Sequence, residues 1–575
     1  MSNSTPPSGA YVLPTFTFVM PPELDAEPCA SRYPLVIVGA GLAGLTLAAD
    51  LASRGVPCLI LDEDDTVGVR GASSRGIAYV QRSLEVMARI GIFDRIAAKG
   101  TAWSAGKVLA GDDVLYAYDF QPENVSAQPP FVNIQQFYLE WYLVDRINEF
   151  GLTDLRWKNR VVGVRPRADA VELDVETPAG RYTLEADWVV DAEGVNSLVR
   201  EQLGLSAHGE RGQDRWCITD VRFTRSRLNE RWTWVEAPFN ENRGVWQHLM
   251  ADQVWRLDFQ MAPDADPAHV SRPDVARERV AAMLGQETEF EVVWVGPYSY
   301  RTLMMDNFRH GRLLFIGDAA HAMSPFGARG GNSGIMDADN LGWKLALMLS
   351  GRADPAILDT YHQERHRAAE ENIRVTSRSG RFMQPRSRNE FTLRTAVLQL
   401  ARRHAFARSL LNAGRMSAPH HYGGLPAFGS GPNDGCSLPN IALSRAGRTV
   451  HLLELLAEAD NELVAFVFPH EADPDRGRAS HAELAAVLVR HTLPARALLV
   501  GRDVVDRHDL LARLSATQAG GVALVRPDAH LAAGLPSHDA AALVGAVRHT
   551  LGQTGSSPSY DGNNHDPRHL VAAVG

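Results

Sequence analysis

The sequence predicts an α/β chain: a Rossmann-like, doubly wound domain carrying an inserted antiparallel β-sheet, followed by a smaller α/β domain. Three observations predict it. A G-x-G-x-x-G run stands between an apolar strand and an Ala/Leu-rich helix in "YPLVIVGAGLAGLTLAADLASRGVPCLILDED". Between residues 208 and 300 come short runs rich in aromatic and β-branched residues, "RWCITDVRF", "RWTWVEA", "GVWQHLM" and "VWRLDFQM", separated by polar turns. A Gly/Pro-rich loop, "HHYGGLPAFGSGPNDGCSLPN", then separates off a stretch in which apolar strands alternate with helix-like segments.

The elements follow in order. Residues 1–32 carry several prolines and make an arm that is flexible or wraps the surface; "FTFVM" is too short for a signal h-region. Residues 33–207 and 301–415 form the doubly wound domain with a long amphipathic helical region. In its first βαβ unit Gly39, Gly41 and Gly44 let backbone approach a pyrophosphate at a helix N-terminus, where unpaired N–H groups face the anion. Asp62, 23 positions after Gly39, ends the second strand with Glu63 beside it, where an acid accepts from ribose hydroxyls. NAD and FAD share this half-site, so these strands leave the dinucleotide open.

The antiparallel sheet, residues 208–300, is the expected substrate domain. Its strand "VWRLDFQM" alternates, placing Arg256, Asp258 and Gln260 on one face and Trp255, Leu257, Phe259 and Met261 on the other. The polar face lines a cavity or meets solvent. His248 in "WQHLM" and Tyr298 and Tyr300 in "PYSYRTL" are candidates, with Arg256 and Asp258, to orient or deprotonate a substrate. Residues 416–435 are the linker, 436–552 the second α/β domain, and 553–575 a disordered tail.

Composition narrows the function classes. The 575 residues are 45% hydrophobic and 22% charged, with no apolar run long enough to span a bilayer and a net charge of −10 without a basic stripe. Membrane spanning and nucleic-acid binding are not expected. Four cysteines, Cys29, Cys58, Cys217 and Cys436, form no CxxC pair, which fits a reducing cytoplasm rather than a disulfide framework or zinc site. "HQERH" at His362–His366 departs from a metalloprotease helix and reads as a solvated helix face.

The segment "FIGDAAHAMSPFGARGGNSGIMDADNLGWKL", from residue 315 onward, crowds Gly, Ala, Ser and Asn around Pro325. It resembles the second flavin motif of the class A flavoprotein aromatic hydroxylases, the para-hydroxybenzoate hydroxylase type. The resemblance implies a Rossmann-like FAD-binding domain, with Asp318 on the ribityl chain and Pro325 beside the reactive face. Backbone from Gly330 through Gly331 to Asn332 would lie at the pyrimidine edge, where a helix N-terminus favours negative charge. Arg75 stands where the family places a pyrophosphate-binding arginine, and Gln136 and Glu140 reproduce its Q-x-x-x-E helix. In "VVDAEGVNSLVR" the chain departs, with Glu193 for the usual Asp and Asp191 for a small residue. Ala328 and Arg329 likewise stand where the family's turn often carries Gly and Gln. The last domain resembles the thioredoxin-like appendage of the phenol and 3-(3-hydroxyphenyl)propionate hydroxylase branch, without CxxC.

The implied function is a monooxygenase in which NADH or NADPH reduces FAD and O2 supplies one oxygen to an aromatic, phenolic or polycyclic ring, in a possible homodimer. Rivals on the same fold are a flavin-dependent halogenase, suggested by Trp232 and Trp234 in "RWTWVEAP", and an epoxidase or Baeyer–Villiger oxygenase. A catalytically silent flavin-binding interaction protein is the alternative of another class.

Overall fold

The computed structural model describes residues 11–25, 31–68, 76–121, 124–210, 215–224, 229–285, 288–411, 419–470 and 474–553. Arg75 and the tail lie outside the described residues. The first domain is built on parallel strands. Strand Arg32–Val38 lies between Cys58–Leu61 and Gly180–Asp191, with Thr153–Arg156 and Leu313–Phe315 outside them. Val36, Ile37, Leu59, Ile60, Val189 and Val190 are fully or almost fully buried, as a sheet covered on both faces requires.

Helix Leu42–Ser53 covers one face and is itself covered by helix Gly330–Leu349. Their close approach needs small residues. A Cβ at Gly334 would meet the Ala43 Cβ at 3.2 Å, and one at Gly342 would fall 2.0 Å from Asp50 Oδ2. Part of the Gly/Ala composition after residue 315 therefore serves helix packing.

The inserted sheet has seven strands in the order Phe290–Tyr298, Trp216–Phe223, Val254–Gln260, Arg243–Leu249, Arg231–Ala237, Ala105–Ala110 and Asp113–Asp119. The last two come from residues expected in the first domain. The expected boundary at 208 thus misses a hairpin, and Arg231–Ala237 runs parallel to Ala105–Ala110 in an otherwise antiparallel sheet. One face buries Trp255, Leu257 and Phe259 in a cluster with Val280 of helix Pro273–Leu284. The other face carries the polar residues, and it too is buried.

In the C-terminal domain strand Leu463–Val467 pairs in parallel with Ala495–Leu499 and antiparallel with Val522–Val525, which pairs antiparallel with Leu531–Leu535. Helix Ala540–Thr550 follows this sheet. The domain meets the first through charges. Arg526 ion-pairs at 2.8 Å with Glu364 of helix Ile357–Met383, and Lys344 reaches the same carboxylate at 3.0 Å. All three side chains are at most 1% exposed, so the middle of "HQERH" is a buried anchor rather than a solvated face. Arg82 donates to the Asp528 carbonyl and pairs with Asp339, which Arg89 bridges to Asp50.

The arm lies along the first domain. Its first described residue, Tyr11, has its ring 4.9 Å from that of Phe137, and Phe16 stacks on Trp157 at 4.6 Å. Glu23 closes it, accepting from Tyr33 and pairing with Arg156. Among the described residues, no helix is long and apolar enough to cross a membrane.

Candidate active site

Backbone geometry makes the first half of the site. Gly39 has φ +104°, and a Cβ there would stand 2.6 Å from the Ala192 carbonyl oxygen. A Cβ at Gly44 would fall 2.1 Å from the Gly39 oxygen, so both glycines are fixed by packing. Gly41, at the N-cap of helix Leu42–Ser53, faces open space. Bare backbone at a helix N-terminus, beside the central strand, is the geometry that an anion cradle requires.

Asp62 accepts from Ala40 N at 2.5 Å and Asp64 N at 2.8 Å, so its carboxylate holds the glycine turn and the loop after it together. Burial pushes its pKa up. Glu63 is exposed and pairs with Arg160 at 3.4 Å, on the surface. Gln136 and Glu140 hold the ends of the segment that contains Arg75: Gly76 N donates to Gln136 Oε1 at 3.1 Å and Gly68 N to Glu140 Oε2 at 2.7 Å. Burial pushes the Glu140 carboxyl up to about 7.

The second flavin segment meets the first where the sequence alone gave no contact. A Cβ on Gly317 would lie 3.0 Å from that of Ala43, and one on Gly331 would lie 3.2 Å from Leu42 Cδ2. Asp318 is exposed on the turn Gly317–Ala319, and Pro325 is exposed on the loop before Gly330, where the long helix begins. The Asn332 side chain is spent inside the protein, accepting from Val80 N and Ser83 Oγ and donating to the Ala78 and Ala328 carbonyls. Only its backbone remains for a ligand. Asp337 anchors the whole turn by accepting from Gly317 N at 2.9 Å while pairing with His321 and Arg365. Burial alone would raise its pKa; His321 and Arg365 outweigh burial and hold it well below the usual carboxylate range. Asp191 and Glu193, the departures from the family pattern, support their own turn: Asp191 accepts from Glu193 N and Ser197 Oγ, and Glu193 from Val199 N.

The polar face of the seven-stranded sheet is buried rather than open to solvent. Asp220 pairs across strands with Arg256, and Arg256 with His248. Arg256 is 2% exposed and donates twice to Asp220, from Nε at 2.9 Å and Nη2 at 3.1 Å. It is thus a buried structural cation that shapes the field rather than a free arm reaching for substrate. His248 lies with Nε2 4.0 Å from Asp258 Oδ2, and its buried Nδ1 has no partner among the described residues. Burial, then Arg231 and Arg256, hold the His248 pKa well below its ordinary value, which keeps the ring neutral. Burial pushes the Asp258 carboxyl up to about 7.

Sequence reasoning missed the neighbours. Arg231, next in this row, donates to Tyr118 Oη at 3.2 Å and has no ion pair among the described residues. Thr233 Oγ1 is buried without a partner among the described residues. Trp216 stacks on Trp246 at 4.2 Å, and Phe326, directly after Pro325, stands edge-on to both. Tyr298 pairs with Trp216 in the sheet, and Tyr300 meets Phe326 edge-on at 6.4 Å, both at the rim. The alternation in "RWTWVEA" carried the signal: Arg231 and Thr233 fall on one face, Trp232 and Trp234 on the other. Those two tryptophans pack T-shaped on each other in the outer core, away from His248.

Gly-turn, paired helix N-termini and acid-anchored loop together define a dinucleotide-binding flavoprotein fold. Residues 32–376, more than half of the chain, match the FAD binding domain family, and the chain belongs to it. It is 29% identical over 365 residues to the 3-(3-hydroxy-phenyl)propionate/3-hydroxycinnamic acid hydroxylase of Mycolicibacterium smegmatis, covering 64% of each chain. It is also 32% identical over 345 residues to a flavin-dependent monooxygenase of Mycobacteroides abscessus, covering 58% of this chain and 70% of that one. The first of these alignments spans less than two thirds of the relative's length. Among solved structures the flavin-dependent monooxygenase PieE, in complex with FAD and substrate, superposes with a TM-score of 0.76 at 21% identity, covering 91% of this chain and 99% of that one. Aklavinone-11 hydroxylase with FAD and aklavinone gives 0.72 at 22% identity with the same coverage. These likenesses show the fold across both domains.

Proposed function

We propose that the protein is an FAD-dependent monooxygenase that hydroxylates an aromatic, phenolic or polycyclic, substrate with NAD(P)H and O2. One observation carries the reading: a neutral His248 beside Asp258 and Arg231 shares a sheet face with the Trp216/Trp246 wall, and that wall touches Phe326 on the loop expected at the flavin. The relatives' names point the same way. FAD, when bound and reduced by NAD(P)H, supplies the activated oxygen.

The chain's own residues do the rest. Stacked indoles and the Phe326 edge offer a flat apolar slot for a ring and exclude water from it. His248 takes the phenolic proton at its free nitrogen, and the charge left on the substrate oxygen raises electron density on the ring. Arg231, which has no ion pair among the described residues, stabilises that charge, while burial, then Arg231 and Arg256, keep His248 neutral in the resting state. The C-terminal domain, whose strands run in the order second, first, third, fourth, fits a thioredoxin-like sheet with a packing role, and without CxxC it supplies no redox chemistry.

The test is a panel of phenols, phenolic acids and polycyclic aromatics, scored for stimulated NADH and NADPH oxidation, for a product heavier by one oxygen and for H2O2. A substrate that stimulates oxidation yet yields only H2O2 would argue for a non-productive effector. Halide-dependent product would instead favour the halogenase.

A further inference from the structure

The family match covers residues 32–376, so the arm lies outside the matched segment. We propose that residues 11–23 are a strap that positions the loop Asp62–Gly68 for the adenosine half of FAD, with Phe16 and Tyr11 as its positioning residues. The inference rests on the family's cofactor.

Contacts fall on that loop from one side. Phe16 N donates to the Asp65 carbonyl at 2.7 Å, and Thr66 Oγ1 donates to the Pro14 carbonyl at 2.5 Å. Phe16 stacks on Trp157, whose neighbour Lys158 ties the same loop from below, with N on the Asp64 carbonyl at 2.9 Å and Nζ on Asp65 at 2.7 Å. The loop is therefore clamped between strap and strand end. Its first residue, Asp62, holds the glycine turn through Ala40 N, so order in the loop is passed directly to the anion cradle.

Both ends of the strap are fixed. Glu23, 5% exposed, pairs with Arg156 at 2.9 Å and accepts from Tyr33 at 2.6 Å. At the other end Tyr11 accepts from Gln135 Nε2 at 3.0 Å and packs with Met250, Val254 and Val293 of the inserted sheet. The strap thus crosses the ribose-side loop and ends at the seam with the substrate domain. A loop ordered before the ligand arrives spares the ordering entropy that binding would otherwise cost. Without the strap, FAD must order the loop itself.

The experiment uses the full chain, stripped of flavin and titrated with FAD by flavin-fluorescence quenching, in three variants. Phe16→Ala with Tyr11→Ala is expected to weaken FAD about tenfold, equivalent to about 1.4 kcal/mol, and to expose residues 62–68 to protease in the apoprotein. Phe16→Tyr, which keeps the stack, should restore affinity, and Val12→Ala, at a side chain 90% exposed, should leave it unchanged. Should the double variant fail to fold, Phe16→Leu alone is read the same way. Unchanged FAD affinity in the folded variants overturns the strap. So does an affinity loss that Phe16→Tyr shares. A wild-type chain that takes up no FAD overturns the cofactor assignment and the strap with it, which separates the two failures.

Discussion

Phe326 stands edge-on to Trp246 with ring centroids 5.2 Å apart and ring planes at 85°, joining the loop that follows Pro325 to the polar face of the inserted sheet. The two residues belong to different domains, and both are buried in one apolar cluster with Trp216 and Met383. Phe326→Leu is therefore expected to retain flavin while loosening the slot. In a turnover assay the share of NAD(P)H consumed as H2O2 should rise several-fold, and an unchanged share would detach this contact from substrate confinement.

His248 and Asp258 set a pH dependence. With Asp258 titrating near 7, its charge appears as pH rises through that value and favours proton uptake by His248. Turnover with a phenol should climb through about 7 in the wild type, and Asp258→Asn should flatten that limb. His248→Gln is expected to lower kcat by roughly 100-fold with flavin content unchanged. Stability moves the other way. The folded pKa of Asp258 is raised, so its contribution is complete below an unfolded value of about 3.9 and is lost as pH rises through about 7.

Glu364 has the opposite sign. Burial would raise its pKa, but Arg526 and Lys344 outweigh burial and bring it down to about 2. Its contribution is present above an unfolded value of about 4.3 and is lost as pH falls toward about 2. Arg526→Met, which strands Glu364 and Asp528, should cost about 3–5 kcal/mol in denaturant unfolding. A loss under 1 kcal/mol would mean that the interface is solvated.

The two flavin segments make separable predictions. Gly44→Ala places a methyl against the Gly39 carbonyl and should yield a destabilised chain free of flavin. Asp318→Ala, at an exposed position, should yield a folded apoprotein and strip FAD. Full flavin content in the Asp318 variant, measured by absorbance after gel filtration, would count against its assignment to the ribityl chain.

Local pattern carried much of the architecture. The βαβ unit, the inserted antiparallel sheet and the residue types flanking Pro325 are readable because period, turn residues and bare backbone are local signals. The hairpin 105–119 was not readable as part of that sheet, since its partner strand begins at Arg231 and pairing across so long a separation leaves no local trace. The same holds for Arg256. Its alternation gave the face, but the carboxylate that occupies it, Asp220, stands on another strand. Glu364 misled because a charged residue between two histidines looks solvated until Arg526, far along the chain, is brought to it.

The buried ions between the domains also bear on how the polypeptide comes off the ribosome. Glu364, Lys344, Asp339 and Arg82 are all synthesised long before Arg526 and Asp528 exist to neutralise or seat them. The first domain emerges with a charged, unsealed flank that is covered only once strands Val522–Val525 and Leu531–Leu535 have been made. A chain truncated before Arg526 is therefore expected to leave Glu364 short of its arginine and to be held by chaperones, although every glycine of both flavin segments is present.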